Sequence, residues 1–245
     1  MPTEHKVELP SRGYFYGGKL PGGNVTVRPM TTQEEKLLVG SQDRLAIVDT
    51  VVERCLLTKS MPLDEYLLND EFFMLLFIRN ITYGANYSFT IKCPSCGTSF
   101  NHEVKVPDGM KLTVLTEKDK EPFECELPIA KKKLSLRLLR VADEKEIRRY
   151  TTQVLNRPGR GGDGDVAYTY RLARHIVKID GEEIDSRKAL ELVDGMGGGD
   201  SLVLRNSIDA HDCGVELHLS LVCPRCEYLV ERMLPFTAEF FRPKH

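Results

Sequence analysis

The sequence of 245 residues has no tryptophan, no long hydrophobic run and no excess of either charge. The longest uninterrupted apolar run, Phe72 to Ile78, is far shorter than the roughly 18 residues of a membrane-spanning helix. The first residues contain no apolar segment of the kind found in secretion signals, so we expect a globular protein made inside a cell. With 34 basic and 36 acidic side chains, the composition argues against bulk electrostatic binding of nucleic acid.

The seven cysteines are an odd number, which argues against a complete disulfide framework. Four of them form two similar tetrapeptides, Cys93-Pro94-Ser95-Cys96 and Cys223-Pro224-Arg225-Cys226. Where thiols stay reduced, such pairs indicate metal ligands, because two intervening residues let both thiolates face one ion. Zn²⁺ takes four ligands in a tetrahedron, and four thiolates leave no open position for a substrate. We therefore predict one structural Zn²⁺ held by Cys93, Cys96, Cys223 and Cys226.

Three other interpretations of these cysteines stay open. The first is a pair of separate half-sites, each completed by ligands from elsewhere in the chain. The second is redox-active pairs, which are less favoured because no thioredoxin-like βαβ pattern surrounds either motif. The third is disulfides formed after release from the cell. The candidate additional ligands for the half-sites are His102, Cys125, Cys213 and His218.

The three remaining cysteines show no pattern of a site. Cys55 continues an apolar helical stripe formed by Val48, Val51, Val52 and Leu56, which predicts a buried packing role. Cys125 and Cys213 have no partner at ligand spacing.

Each Cys-x-x-Cys tetrapeptide, here called a knuckle, follows and precedes a segment of alternating apolar and polar residues. The segments 87–91 and 215–221 stand before the two knuckles, and apolar residues continue at intervals after them. Strict alternation is typical of half-buried strands, so each knuckle is predicted at the tip of a hairpin, as in a zinc ribbon. The inner cysteines, Cys96 and Cys223, are 127 positions apart, which is far more than a compact ribbon needs.

A duplication of the chain explains this separation. Matching segments recur in the same order, and the separation between matched positions grows from 111 residues for Thr32 and Asp143 to 130 for Cys93 and Cys223. Thr32 and Asp143 each begin a tetrapeptide that resembles a helix capping box. The other matched segments are 25–27 with 136–138, 51–56 with 172–177, and 76–80 with 202–206.

These patterns predict an α+β fold of two tandem pseudo-repeated halves, residues 1–115 and 116–245. Each half is expected to contain helices and a strand–knuckle–strand hairpin, and the two knuckles are expected to join in one split zinc-ribbon-like site. The charged stretch 117–122 is the predicted junction between the halves. One metal ion would then clamp the halves together and couple metal binding to folding.

No motif predicts catalysis. The glycine-rich stretches 157–165 and 195–200 lack both the ending of a phosphate loop and the oxygen ligands of a calcium loop, so we expect flexible loops there. The six histidines are scattered, and neither a Gly-x-Ser-x-Gly elbow nor a His-Glu-x-x-His motif occurs. The carboxylate pairs 34–35 and 182–183 are predicted at a helix start and in a turn. We therefore expect no enzyme.

Four phrases of the first half together resemble a known family. They are Leu9 to Tyr16, Val27 to Thr31, Arg79 to Gly84 and Cys93 to Gly97, in that order. The order is similar to that of the baseplate hub proteins of T-even-type contractile-tailed bacteriophages. The resemblance is best over residues 9–97 and looser up to Cys226. It implies a non-catalytic virion or assembly component, placed in the tail baseplate after synthesis in the host cytoplasm.

The expected partners are other phage baseplate and tail proteins, with no small-molecule substrate and no membrane insertion. The aromatic residues 14–16, Phe236, Phe240 and Phe241 are candidate interface anchors, and the alternative is that they close the core of their own half. The competing function is a zinc-ribbon adaptor or regulator that binds nucleic acid or a polymerase. It is disfavoured because acidic residues balance the basic ones around both knuckles.

Overall fold

The computed structural model describes residues 3–40, 44–156, 165–236 and 238–241, and of the helical residues among them it leaves out the side chains of 38–40, 44–46, 238 and 239. Helices and short antiparallel sheets alternate, which confirms the expected α+β class. The helices are α1 Thr32–Gly40, α2 Arg44–Cys55, α3 Leu68–Tyr83, α4 Val141–Leu155, α5 Val166–His175, α6 Ser186–Asp194, α7 Gly198–Ala210 and α8 Ala238–Phe241.

Within the described residues, the strands form one sheet of four strands and four sheets of two. The larger sheet has the antiparallel order β6-β7-β8-β9, and the small ones pair β1 with β2, β3 with β4, β5 with β10 and β11 with β12. The strands are β1 His5–Glu8, β2 Asn24–Val27, β3 Asn86–Lys92, β4 Ser99–Lys105, β5 Leu112–Thr113, β6 Phe123–Leu127, β7 Lys132–Leu136, β8 Ile176–Ile179, β9 Glu182–Glu183, β10 Gly214–Val215, β11 His218–Val222 and β12 Leu229–Met233.

Both predicted halves contain the same arrangement where a strand leads into a helix. After β2, the Arg28 backbone N–H donates to the Cys55 carbonyl at the end of α2, and the Arg28 guanidinium binds both carboxylate oxygens of Glu34. After β7, the Arg137 N–H donates to the His175 carbonyl at the end of α5, and Arg137 grips Asp143 in the same bidentate way. The arginine and the acid are six residues apart in both cases.

The predicted capping boxes are wrong in register. Thr32 is the first residue of α1, and Glu34 accepts hydrogen bonds from the backbone N–H and hydroxyl of Thr31, which precedes the helix. Asp143 is the third residue of α4 rather than its cap, and it accepts from the backbone N–H of Arg140. In both helices the acid satisfies a free N–H at the helix start from within the first turn.

One cluster of buried apolar residues runs through both predicted halves. The predicted stripe of α2 is confirmed, because Val48, Val51, Val52, Cys55 and Leu56 are all buried. The apolar run 72–78 lies within α3. None of the helices in the described part of the chain combines the length and the apolar character needed to cross a bilayer.

The aromatic residues near the ends of the chain mostly serve the core. Tyr16, Phe240 and Phe241 are buried, so they are core residues and not exposed interface anchors, but Phe240 does not close the core of its own predicted half. The second half's last residues pack on the first half: Tyr87 donates from its hydroxyl to the Pro235 carbonyl at 2.6 Å, and its ring meets that of Phe240 edge to face. The described end of the chain therefore packs against the first predicted half.

The loop prediction for the two glycine-rich stretches can be compared with the structure mainly in the second stretch, residues 195–200. In the second, α7 already begins at Gly198, and the buried carboxylate of Asp200 accepts from the backbone N–H groups of Ile129 and Ala130. The loop prediction is therefore wrong for residues 198–200, because this acid ties the helix to the turn between β6 and β7. Of the first stretch, residues 157–164 lie outside the described residues, and Asp165 caps α5 through the N–H of Ala167.

A buried acid lies where α2, α3 and α4 meet. Glu71 is 1% exposed, and its Oε1 atom finds no hydrogen-bond partner among the described residues. Burial, followed by the charge of Asp49, raises the pKa of Glu71 to about 8, although Lys145 and Arg148 of α4 oppose this. Asp49 itself accepts a hydrogen bond from Arg148 at 2.5 Å.

We expect Glu71→Gln to raise the free energy of unfolding by about 1–3 kcal/mol at pH 8.5 and to change it little at pH 5. A raised folded-state pKa means that the folded protein holds the proton more tightly, so stability is lost as pH rises from about 4.5 to about 8. Urea unfolding at both pH values measures the effect. Glu53→Gln, on the exposed face of α2, should show no such dependence, and an equal change at both pH values would contradict the assignment.

Candidate metal centre

The two knuckles are the tips of two hairpins. Residues 93–98 connect β3 with β4, and residues 223–228 connect β11 with β12. Each tip closes with the same backbone bonds: Cys93 N–H to the Thr98 carbonyl at 2.9 Å, and Cys223 N–H to the Tyr228 carbonyl at 3.0 Å. The hairpin prediction is confirmed. The predicted strand 215–221 is interrupted at 216–217, where the chain leaves β10 and its partner β5 before β11 begins.

The hairpins bring the four knuckle cysteines into one cluster. All four Sγ atoms lie within 4.8 Å of one another. Across the hairpins, Cys93 Sγ is 3.7 Å from Cys226 Sγ, and Cys96 Sγ is 3.7 Å from Cys223 Sγ. A tetrahedral Zn²⁺ with bonds of about 2.3 Å would hold its sulfur ligands about 3.8 Å apart. The donor set and its spacing therefore fit such an ion.

The distances between the four Sγ atoms also test the half-site and disulfide interpretations of these cysteines. A disulfide needs sulfur atoms about 2.05 Å apart, so the four thiols are not paired in this structure. The cluster contains two cysteines from each knuckle and, within the described residues, none of the additional ligands considered for half-sites. Of those, Cys125 lies in β6, His218 lies in β11, Cys213 is buried before β10, and His102 in β4 packs edge to face on Phe89.

Burial and charge differ among the four thiols. Cys93 and Cys223 are buried, Cys96 is half-buried and Cys226 is exposed. Hydrogen bonds from the side chain and backbone of Thr98 lower the pKa of Cys96 to about 6. A backbone hydrogen bond from Tyr228 lowers the pKa of Cys226, but the three neighbouring thiols outweigh it and raise that pKa to about 11. Four thiolates this close repel one another, and a divalent cation would relieve the repulsion.

A contact between the knuckles was not predicted from the sequence. Arg225, in the second knuckle, donates from its guanidinium to the Thr98 hydroxyl of the first at 3.2 Å. The contact joins side chains 127 positions apart. Only the pairing of the knuckles could have indicated it, because Thr98 stands two residues after Cys96 and belongs to no motif of its own.

The two tips differ at the residue after the second cysteine. Gly97 has φ +72° and Glu227 has φ +58°, so both adopt the left-handed conformation. Glycine takes this conformation without cost, whereas other L-residues are strained there by about 1–2 kcal/mol. The second knuckle is therefore the more strained of the two.

We expect Glu227→Gly to stabilise the protein by about 0.5–1 kcal/mol, because it removes this strain at a small cost in unfolded-chain entropy. Gly97→Ala should destabilise by about 1 kcal/mol, and the space around Gly97 is open, so the loss would come from the backbone alone. Thermal unfolding measures both. Glu227→Ala keeps the backbone strain and removes the charge, so a gain from that variant would contradict the explanation.

The other cysteines are buried thiols outside the cluster. Burial raises the pKa of Cys55 to about 11, and it also raises the pKa values of Cys125 and Cys213. A protonated, buried thiol is neither a good nucleophile nor a metal ligand. The packing role predicted for Cys55 agrees with its full burial in the core.

Two histidines have packing or hydrogen-bonding roles. His175 is buried at the end of α5, its ring nitrogen is 2.8 Å from the Arg137 carbonyl, and burial lowers its pKa to about 4. His211 stacks on Phe123 and hydrogen-bonds the Ser207 carbonyl.

The two carboxylate pairs belong to regular secondary structure. Glu34 lies in the first turn of α1 and is paired with Arg28. Glu182 and Glu183 form β9, directly after the turn at 180–181, and not the turn itself.

Comparison with known proteins gives one match over nearly the whole chain. A protein-family model described as "T4 bacteriophage base plate protein" matches residues 4–242. The matched region includes both hairpins and all four knuckle cysteines. No curated protein and no solved structure gives a significant match.

Proposed function

Because the chain belongs to the family of T4 bacteriophage base plate proteins, as the resemblance of its first half predicted, we propose that it is a structural subunit of a contractile tail baseplate. The family match over residues 4–242 is the observation that carries this proposal. The proposed position is the hub of the baseplate or a step in its assembly. The protein would be made in the host cytoplasm and act in the virion. Its partners are other phage structural proteins.

The proposed role of the four-cysteine cluster is to hold one structural Zn²⁺ through Cys93, Cys96, Cys223 and Cys226. The close spacing of the four Sγ atoms, which is compatible with a tetrahedral ion, supports this assignment. When bound, the ion would supply a fixed link between the two hairpins, and its four thiolate ligands would leave no place for a substrate.

A tandem duplication is the proposed origin of this arrangement, with halves at residues 1–115 and 116–245. Its support is the recurrence of one pattern. Each half has a strand pair, an arginine that grips an acid six residues later, and a hairpin that ends in a knuckle. In each half, the arginine's N–H also donates to the last residue of a helix.

The proposed function includes no catalysis and no nucleic-acid binding. Near the second knuckle, the basic residues Arg225 and Arg232 stand beside Glu227 and Glu231, and Arg225 is engaged with Thr98. A nucleic-acid site would need a basic face with aromatic platforms.

Mass spectrometry of purified virions tests the baseplate role. We expect this chain in intact particles and in isolated baseplates, and its absence from both would overturn the proposal. Elemental analysis tests the metal: about one zinc per chain is expected, and two or none would overturn the shared site. Titration with DNA at several salt concentrations tests the competing function. Tight binding that weakens with salt would favour the adaptor instead.

A further inference from the structure

The outer faces of the two hairpins differ, although both hairpins have the same backbone plan. On the first hairpin every outward-facing residue is polar and exposed. These residues are Asn86, Ser88, Thr90 and Lys92 on β3 and Ser99, Asn101, Glu103 and Lys105 on β4. Cross-strand hydrogen bonds join Ser88 to Glu103 at 3.1 Å and Thr90 to Asn101 at 2.8 Å. This face is suited to water.

On the second hairpin, half of the outward-facing residues are apolar. The outward-facing residues are His218, Ser220 and Val222 on β11 and Leu229, Glu231 and Met233 on β12. Val222 and Leu229 lie directly opposite each other and are 60% and 50% exposed. The corresponding pair beside the first knuckle is Lys92 and Ser99. Tyr228, 48% exposed, extends the apolar surface toward the knuckle.

The edge of β11 lacks the features that usually prevent strand addition. Proteins protect an open edge with lysine, proline, a bulge or a cover. β11 contains no lysine, arginine, aspartate, glutamate or proline, and its register with β12 is continuous. Among the described strands, β11 pairs only with β12. The neighbouring strand β12 carries Glu231 and Arg232, so its own edge is better protected.

We propose that the β11 edge receives an extended strand of another baseplate protein, which packs an apolar side chain on Val222, the near member of the exposed pair Val222–Leu229. This inference rests on the proposed function. Strand addition supplies affinity through backbone hydrogen bonds and specificity through alternate side chains. The added strand would lie beside β11 and extend the outer face of the second hairpin beyond Val222.

The outer face also specifies the sequence of the added strand. A residue opposite Val222 would be apolar. Two positions along, a residue opposite Ser220 reaches over this small side chain to Glu231, which has no salt-bridge partner among the described residues. That residue would be basic. A second apolar residue would follow opposite His218 and reach across it toward Met233 on β12. The strand therefore has the pattern apolar–x–basic–x–apolar.

A second copy of this chain does not present this pattern on the outer face of either hairpin, and the matching segment at β12, Val230–Leu234, has both of its end residues buried. The outer face of hairpin two contains no lysine or arginine, so a copy paired through its own β11 would leave Glu231 uncompensated. The outer face of hairpin one offers no apolar residue. The occupant is thus a different subunit.

Site-specific crosslinking in the assembled baseplate tests the proposal. A photoreactive benzoylphenylalanine replaces Val222 in one phage and Lys92, the matched position of the first hairpin, in another. We expect position 222 to crosslink to an apolar–x–basic–x–apolar segment of another baseplate protein, with about tenfold less crosslinking from position 92. Equal yields, a crosslink to a second copy, or no crosslink in particles with a normal copy number would overturn it. If the chain is missing from wild-type particles, the proposed function itself fails.

A paired variant gives an independent measurement. Val222→Lys with Leu229→Ser copies the pair Lys92 and Ser99 of the first hairpin and replaces two exposed residues. We expect unchanged zinc content and thermal unfolding, but about tenfold lower incorporation into baseplates. Glu231→Lys should reduce incorporation similarly, because it opposes the basic residue. Normal incorporation of both variants would overturn the proposal.

Discussion

Replacing Cys93 with serine is expected to release the metal and to loosen both hairpins, including the one that keeps its own two cysteines. Cys93 is buried, and its Sγ lies 3.7 Å from Cys226 Sγ in the other hairpin. A serine hydroxyl stays protonated at neutral pH and is a poor ligand for zinc. Structural zinc contributes about 10–16 kcal/mol in small zinc-dependent peptides, so loss of one ligand should lower the free energy of unfolding by at least about 3 kcal/mol.

The decisive measurement is made on the second hairpin, which keeps both of its own cysteines. Amide hydrogen exchange should accelerate in β12, which is 136 residues or more from the substitution in the chain. Elemental analysis should show the zinc content falling from about one per chain toward zero, and a chelator should reproduce both effects in the wild-type protein.

The control is Cys125→Ala, a buried cysteine in β6 outside the cluster. It should cost about 1 kcal/mol through lost packing and keep its zinc. Retention of zinc by Cys93→Ser, with unchanged exchange in β12, would contradict the shared site.

The cysteine cluster was predictable because its chemistry is local in each half. A Cys-x-x-Cys turn already places two thiolates on one side, and four ligands are what Zn²⁺ requires. The alternation of residues 87–91 likewise specified β3, because one face of that strand is buried. The meeting of Cys96 and Cys223 could be predicted because one Zn²⁺ needs four ligands and each knuckle supplies two. The prediction did not require the fold of the residues between them.

The starts of α1 and α4 could not be located from sequence alone. A capping box is recognised by two residues that are three positions apart, and this spacing does not show whether an acid is the cap itself or lies in the first turn of the helix. The position of the helix start depends on where the chain leaves the preceding strand. Here Arg28 and Arg137 settle it, since each grips its acid from six residues upstream. The position of each arginine is fixed by a tertiary contact, because its backbone N–H donates to the last residue of a later helix.

The aromatic residues at the chain end and the glycines before α7 depended on tertiary packing as well. An aromatic residue such as Phe240 suits an interface and a core equally, and its burial against Tyr87 comes from the other half. Gly198 is a poor helix former, but Asp200 anchors this turn of α7 to the backbone of Ile129 and Ala130. In both places, distant contacts override local preference.

Asp143→Asn is expected to lower the free energy of unfolding by about 3–5 kcal/mol at pH 7, because it leaves the half-buried Arg137 without its carboxylate and Arg174 with Glu146 alone. Asp143 is 2% exposed and accepts hydrogen bonds from Arg137 at 2.6 and 2.7 Å, from Arg174, and from the backbone of Arg140. The variant keeps the shape of the side chain and removes its charge. Urea unfolding of both proteins measures the difference.

The pH dependence of this loss identifies its cause. Burial would raise the pKa of Asp143, but the hydrogen bonds and charge of Arg137, with those of Arg140 and Arg174, lower it below its usual value. A lowered folded-state pKa gives stability that is complete above the unfolded value of about 3.9 and is lost as pH falls through the folded one. The difference between wild type and Asp143→Asn should therefore shrink below pH 4, and a constant difference would indicate lost packing instead.

The corresponding acid of the first half is the matched control. Glu34 is also buried and bidentate to its arginine, and Arg28 with Thr31 lowers its pKa to about 2 against the effect of burial. It has one arginine partner, whereas Asp143 has two. Glu34→Gln should therefore cost less than Asp143→Asn, with the same decline in acid. If the two losses were equal, Arg174 would add nothing to the second site, and the bidentate arginine common to both halves would account for the whole effect.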